Sequence, residues 1–110
     1  MVTEHSVAHA LAALGHETRL MVFRLLVRAG EGGMIVGDIS KRLDMAPSTL
    51  AHHLRALVDA GLVIQERQGR QIVNRVDYAV IRGTVDFLLE ECCADAVDCV
   101  HDGGAEETAA

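Results

Sequence analysis

Residues 38–63 read DISKRLDMAPSTLAHHLRALVDAGLV, two helical segments around a turn. Asp38 to Leu43 reads as a short helix, with Asp44 and Met45 as the turn. Pro47 then stands where a proline is welcome, at the first position of a helix, because its missing N–H is one the helix start leaves unpaired anyway. Leu50, Leu54 and Leu57 recur at spacings of four and three, so they share one face and are assigned to the core; the helix runs from Pro47 to Ala60 and Gly61 ends it. With those leucines committed, Ser48, Thr49, Ala51, His52 and Arg55 are left pointing outward.

Working outward, Val7, Leu11 and Leu14 predict a first helix over Glu4 to Leu14, ending at Gly15. Glu17 and Thr18 open a second helix whose Leu20, Val22, Phe23, Leu26 and Val27 form a broad stripe expected to be buried, with Gly30 as the stop. GEGGMIVGD, residues 30–38, reads as a glycine-rich loop. Beyond Gly61 the period changes from helical to alternating, and LVIQERQGRQIVNRV predicts a β-hairpin turning at Gln68, Gly69 and Arg70. Asp77 is placed to cap a last helix in which Ile81, Val85, Leu88 and Leu89 line one face, with Gly83 costing about 1 kcal/mol relative to alanine. The order helix, helix, short helix, turn, helix, hairpin, helix is mainly α with a small β-hairpin: a winged helix-turn-helix, whose second motif helix enters the major groove of DNA.

The 110 residues are enough for one domain, expected over 1–100, with residues 101–110, HDGGAEETAA, as a disordered acidic tail. No apolar run approaches the roughly 20 residues of a membrane span. The start, MVTEHSVAHALAALG, lacks a basic segment followed by an apolar one, so no secretory signal is expected. A reducing cytoplasm, with thiols in place of disulfides, fits the odd count of three cysteines. The net charge of −6 argues against nucleic acid until the chain is divided. Residues 17–76 carry nine Lys/Arg against six Asp/Glu, whereas residues 77–110 carry one against nine. The basic part holds both the outward face of the Pro47 helix and the hairpin tip ERQGRQ, with Arg67 and Arg70 about Gly69 and Arg75 further along, which together make a footprint for double-stranded DNA. Arg55 can reach a phosphate or a guanine edge, His52 can donate to either, and Ser48 and Thr49 lie at a helix N-terminus that favours phosphate.

Over roughly residues 8–90 the chain resembles the arsenic-repressor (ArsR/SmtB) family of metalloregulators. The resemblance is carried by LAALGHETRLMVFRLL with its "TRL", by ERQGRQIVNRV, and most specifically by STLAHHLRALVDAGLV, which keeps Thr49, His53, Leu54, Leu57, Ala60, Gly61 and Leu62 in the family's arrangement. It implies a homodimer held by the first and last helices, an operator of two half-sites, and repression relieved by an effector. It also implies that inward-facing His53 is a packed, hydrogen-bonded residue and not a DNA reader. Three departures matter. Where many arsenic repressors carry a cysteine-containing ELCVCDL segment, this chain has GMIVGDI; the last helix, DYAVIRGTVDFLLEE, lacks the histidines of zinc sensors; and ETRLMVFRLLVRAG lacks the cysteine of redox sensors.

All three cysteines instead lie in EECCADAVDCVH, residues 90–101. Cys92, Cys93 and Cys99 are soft donors suited to a trivalent metalloid, As(III) or Sb(III), bound by three sulfurs. On an unbroken helix Cys92 and Cys99 would stand ~10 Å apart with Cys93 about 100° away. The helix must therefore end near Cys93 and the chain curl back, or the partner subunit must contribute. A C-terminal cysteine trio of this kind is a variant that the resemblance also includes. Glu90, Glu91, Asp95 and Asp98 make these cysteines poor nucleophiles at rest, which favours a thiophilic ion over a mild oxidant. His101 could complete a Cys₃His site for zinc or cadmium, and a thiol-redox sensor is the further alternative. His5 and His9, four apart, are a thinner candidate pair, and His16 begins no motif. No base, nucleotide loop or electrophilic site accompanies the cysteines, so an enzyme or metallochaperone is disfavoured, as is a winged helix that has lost sensing.

Overall fold

The computed structural model describes residues 2–97. Thr3 starts the first helix, α1 (Glu4–Leu14), through a reciprocal capping box with Ser6. His16 caps α2 (Glu17–Ala29), its Nδ1 accepting from the Thr18 N–H at 3.2 Å. A single 3-10 turn over Gly30–Gly32 leads to a two-residue strand, β1 (Met34–Ile35), and then to α3 (Val36–Leu43) and α4 (Pro47–Asp59). The strands β2 (Val63–Gln68) and β3 (Gln71–Val76) form the hairpin, and α5 (Tyr78–Leu89) follows. The sheet is antiparallel in the order β1-β3-β2, pairing Met34 with Asn74 and Val63 with Val76. Among the described residues no helix is long and apolar enough to cross a membrane.

Two features of the GEGGMIVGD stretch depart from the expected loop. Met34 and Ile35 pair with β3, and α3 begins at Val36, two residues before Asp38. Gly33 permits this with φ of +70°, since a Cβ there would collide with the Asn74 carbonyl oxygen. Asn74 is fully buried, its Nδ2 donating to the Met34 carbonyl at 3.3 Å and its Oδ1 accepting from Gln65 Nε2 at 2.7 Å. One amide thus ties all three strands, and its donor and acceptor are both satisfied, as burial demands.

Leu26, Ile39, Leu50, Leu54, Leu57 and Leu62 are the largest apolar side chains with almost no surface left, so the core lies where α2, α3, α4 and β2 meet. The inward assignment of Leu50, Leu54 and Leu57 therefore holds. The stripe on α2 does not: Val22, Phe23, Leu25 and Leu26 are buried, while Leu20 and Val27 are exposed. On α1 the buried set is Val7, Ala10 and Ala13, leaving Leu11 exposed. On α5 Ile81 is half-buried, but Val85, Leu88 and Leu89 face outward, the last two 55% and 64% exposed. Asp77 sits at the N-cap of α5 without a side-chain hydrogen bond to the helix.

Helix α5 stops at Leu89, earlier than the vicinity of Cys93. Glu91 and Cys93 have φ of +61° and +66°, left-handed backbone that a continuing helix cannot accommodate. The region expected to be an acidic tail, residues 101–110, lies outside the described residues.

Candidate nucleic-acid interface and cysteine cluster

The outward face of α4 is built by the packing of its inner one. Leu50, Leu54 and Leu57 are anchored in the core, so Ser48, Thr49, Ala51, His52 and Arg55 are all exposed. Ala46, the residue before the helix, has extended backbone and offers no side-chain cap, and Pro47 occupies the first helical position. The N–H groups of Ser48 and Thr49 are consequently left for an external acceptor, beside the positive end of the helix. A phosphate oxygen is the acceptor this arrangement suits.

His53 is buried at 7% exposure and faces away from that surface. Its Nδ1 accepts from Arg19 Nε at 3.4 Å, with the rings of His16 and His52 at 4.9 and 5.4 Å. Burial, then the charges of His16, Arg19 and His52, push its pKa below the ordinary 6.5. A neutral imidazole is what an Arg19 donor requires. This pinning orients the exposed face, as the resemblance implied for His53. The role of His16, as the α2 cap and a ring neighbour of His53, is one the sequence reading missed; its place just before Glu17 at the start of a helix was the available signal.

The wing carries Arg67 at the end of β2 and Arg70 in the tight turn, both exposed. Gly69, with φ of +66°, makes that turn possible. Arg75 instead pairs with Glu66 across the two strands at 3.4 Å, so part of its charge is answered within the hairpin. A cleft between α4 and the wing is lined by Ala51, Arg55, Gln65 and Ile72, which places Arg55 on the side of α4 that looks towards the hairpin.

Beyond α5, Cys92 and Cys93 are both exposed and their sulfurs lie 3.4 Å apart. Cys99, the third sulfur, and His101 lie outside the described residues. Among the described residues no three His, Cys, Asp or Glu side chains gather into a group able to hold a metal ion. That holds for His5 and His9 as well, which are exposed on α1.

Residues 14–66 match the family described as Helix-turn-helix domain, a span from the end of α1 into β2. The HTH-type transcriptional regulator NmtR of Mycobacterium tuberculosis is 36% identical over 85 residues, 77% of this chain and 65% of its own length. A protein of Halobacterium salinarum named for repression of an arsenical resistance operon is 40% identical over 60 residues, 54% of this chain and 46% of its own. The chain thus spans less than two thirds of either relative's length. Among solved structures, an ArsR-like transcriptional regulator from Rhodococcus sp. RHA1 superposes with a TM-score of 0.70 at 31% identity, covering 83% of this chain and 82% of that one.

Proposed function

This chain belongs to the ArsR family of winged helix-turn-helix transcriptional regulators, and on that premise we propose that it is a homodimeric repressor, released from its operator when As(III) or Sb(III) binds Cys92, Cys93 and Cys99. The DNA half of the reading rests on the exposed face of α4, with Ser48, Thr49, His52 and Arg55, and on Arg67 and Arg70 of the wing. In a two-fold dimer the two α4 helices would occupy successive major grooves about 34 Å apart. The exposed apolar residues Leu11 of α1 and Val85, Leu88 and Leu89 of α5 are the surface such a dimer would bury.

The observation that carries the effector half is the contact between the Cys92 and Cys93 sulfurs, 3.4 Å apart just past the end of α5. Two thiols at that separation can ligate one ion, and three sulfurs with no harder donor suit a trivalent metalloid. A bound ion would supply the positive charge that lets thiolates persist among Glu90, Glu91 and Asp95. Cys99 is within a few residues of chain, so it can close over the pair. Because Leu88 and Leu89 immediately precede the cysteines, gathering the sulfurs would pull on the surface proposed to join the subunits. A hundredfold loss of operator affinity needs about 2.7 kcal/mol of coupling, and DNA must weaken ion binding to the same degree.

The effector assignment is tested by titrating the reduced protein with arsenite, antimonite, Cd(II) and Zn(II) while following sulfur-to-ion absorption in the near ultraviolet. One arsenite per protomer, lost in Cys92→Ser, Cys93→Ser and Cys99→Ser alike, is expected. Zinc or cadmium binding that needs His101, without arsenite binding, would replace the metalloid with a Cys₃His site.

A further inference from the structure

We propose that the groove between α2 and α3 is a binding site for a small organic anion with an apolar body, a ligand class separate from the operator and from the thiophilic ion. Three guanidinium groups converge there: Arg24 and Arg28 from α2 and Arg42 from the last turn of α3. Among the described residues none of the three has a carboxylate within ion-pair distance or a hydrogen-bond partner, although the chain carries 16 Asp and Glu. Three like charges left unanswered around one concavity repel each other, and a counter-anion relieves that repulsion. Guanidinium forks match the planar oxygens of a carboxylate or the face of a phosphate.

The floor decides what kind of anion fits. Two adjoining cavities of about 310 and 240 Å³ share Leu25, Arg28 and Arg42. Their apolar walls come from Met21, Leu43 and Met34. Cavities of this size with apolar walls and a few charged groups are what small ligands occupy, whereas a bare phosphate would gain nothing from methionine and leucine. Methionine adapts its shape to irregular apolar ligands. Met34 belongs to the GMIVGDI segment that stands where other members carry cysteines, so this corner of the fold is free for other chemistry.

The duplex is not the occupant that the placement favours. No residue of α4 and none of the hairpin lines either cavity. Since α4 packs against both α2 and α3, a groove between those two helices that excludes α4 opens on their other side. A ligand seated there would bear on α3 and so on the turn that leads into α4.

Sodium decanoate joins a carboxylate to an apolar chain and serves as the probe, titrated into the full-length protein labelled for arginine Nε–H and methionine methyl resonances. Saturable shifts at Arg24, Arg28 and Arg42 together with Met21 and Met34 are expected, with about tenfold weaker binding for Arg28→Gln and for Arg42→Gln, since one charge-assisted pair is lost in each. Decanol and inorganic phosphate, each lacking half of the recognition, should bind far more weakly. The proposal is overturned if decanoate shifts do not saturate, if the double variant binds decanoate as wild type does, or if phosphate binds as well as decanoate. It is equally overturned if a DNA duplex moves these arginine signals while decanoate does not, since the cluster would then be a phosphate anchor. None of these outcomes depends on arsenic or on Cys92, Cys93 and Cys99.

Discussion

Arg19 on α2 donates its Nε–H to Nδ1 of His53 on α4 across 3.4 Å, so the arginine of the TRL motif holds the buried edge of the DNA-facing helix. The donor demands a neutral imidazole, and burial with the nearby His16, Arg19 and His52 keeps His53 below its ordinary 6.5. As pH falls through 6.5 the unfolded chain binds this proton before the folded chain does, so stability declines from there until the folded His53 also protonates. Urea denaturation of wild type and His53→Gln at pH 7.5 and pH 5.5 should show a smaller acid loss in the variant. An equal loss in both would remove His53 as its source.

The exposed apolar face of α5 should behave as a subunit interface. Leu88→Asp is expected to convert the dimer to a folded monomer in sedimentation velocity, because the residue is 55% exposed in the single chain and contributes little to its core. An aspartate there would place a charge inside the dimer contact, where desolvation makes it costly. A variant that sediments like wild type would put the interface elsewhere.

The two basic elements should differ in what they read. Arg67→Ala and Arg70→Ala on the wing are expected to weaken all DNA sequences alike and each to reduce the salt slope by about 1. Arg55→Ala on α4 is expected to cost about 1–3 kcal/mol and to relax discrimination at one base position. Binding to a panel of single-base operator variants at several salt concentrations separates these outcomes. A sequence-selective loss in the wing variants would reverse the roles.

Gly33→Ala should destabilise the protein by more than about 1 kcal/mol, measured by urea denaturation, because φ is +70° and the new Cβ meets the Asn74 carbonyl oxygen. Hydrogen exchange should locate the damage at the pairing of Met34 with Asn74. Loss of less than half that amount would mean that β1 contributes little to holding the wing.

Local chemistry made α4 legible: Pro47 fixes its start, Leu50, Leu54 and Leu57 its buried face, and Gly61 its end. The hairpin was legible for the same reason, since a two-residue turn with Gly69 leaves one register. β1 was not, because Met34 and Ile35 become a strand only by meeting Asn74 and Val73 some 40 residues later. Leu11, Leu20, Val27, Val85, Leu88 and Leu89 show a second limit. Periodicity reveals an apolar face, but it does not say whether that face meets the chain's own core or another molecule. The spacing of Cys92, Cys93 and Cys99 required a break in the last helix, and α5 does end before them. Where Cys99 closes on that pair lies outside the described residues. The Arg24, Arg28 and Arg42 groove escaped notice because its members are spread over two helices with nothing local to join them.

The account turns on release from DNA by a three-sulfur site. Its most direct test is fluorescence anisotropy of a palindromic operator duplex bound by the reduced dimer and titrated with As(III), Sb(III), Cd(II), Zn(II) and a persulfide donor, repeated with Cys99→Ser. The account predicts that arsenite and antimonite release the duplex with about a hundredfold loss of affinity, and that Cys99→Ser binds DNA but no longer responds. Release by zinc or by the persulfide donor without release by arsenite, or an unaltered arsenite response in Cys99→Ser, would contradict it.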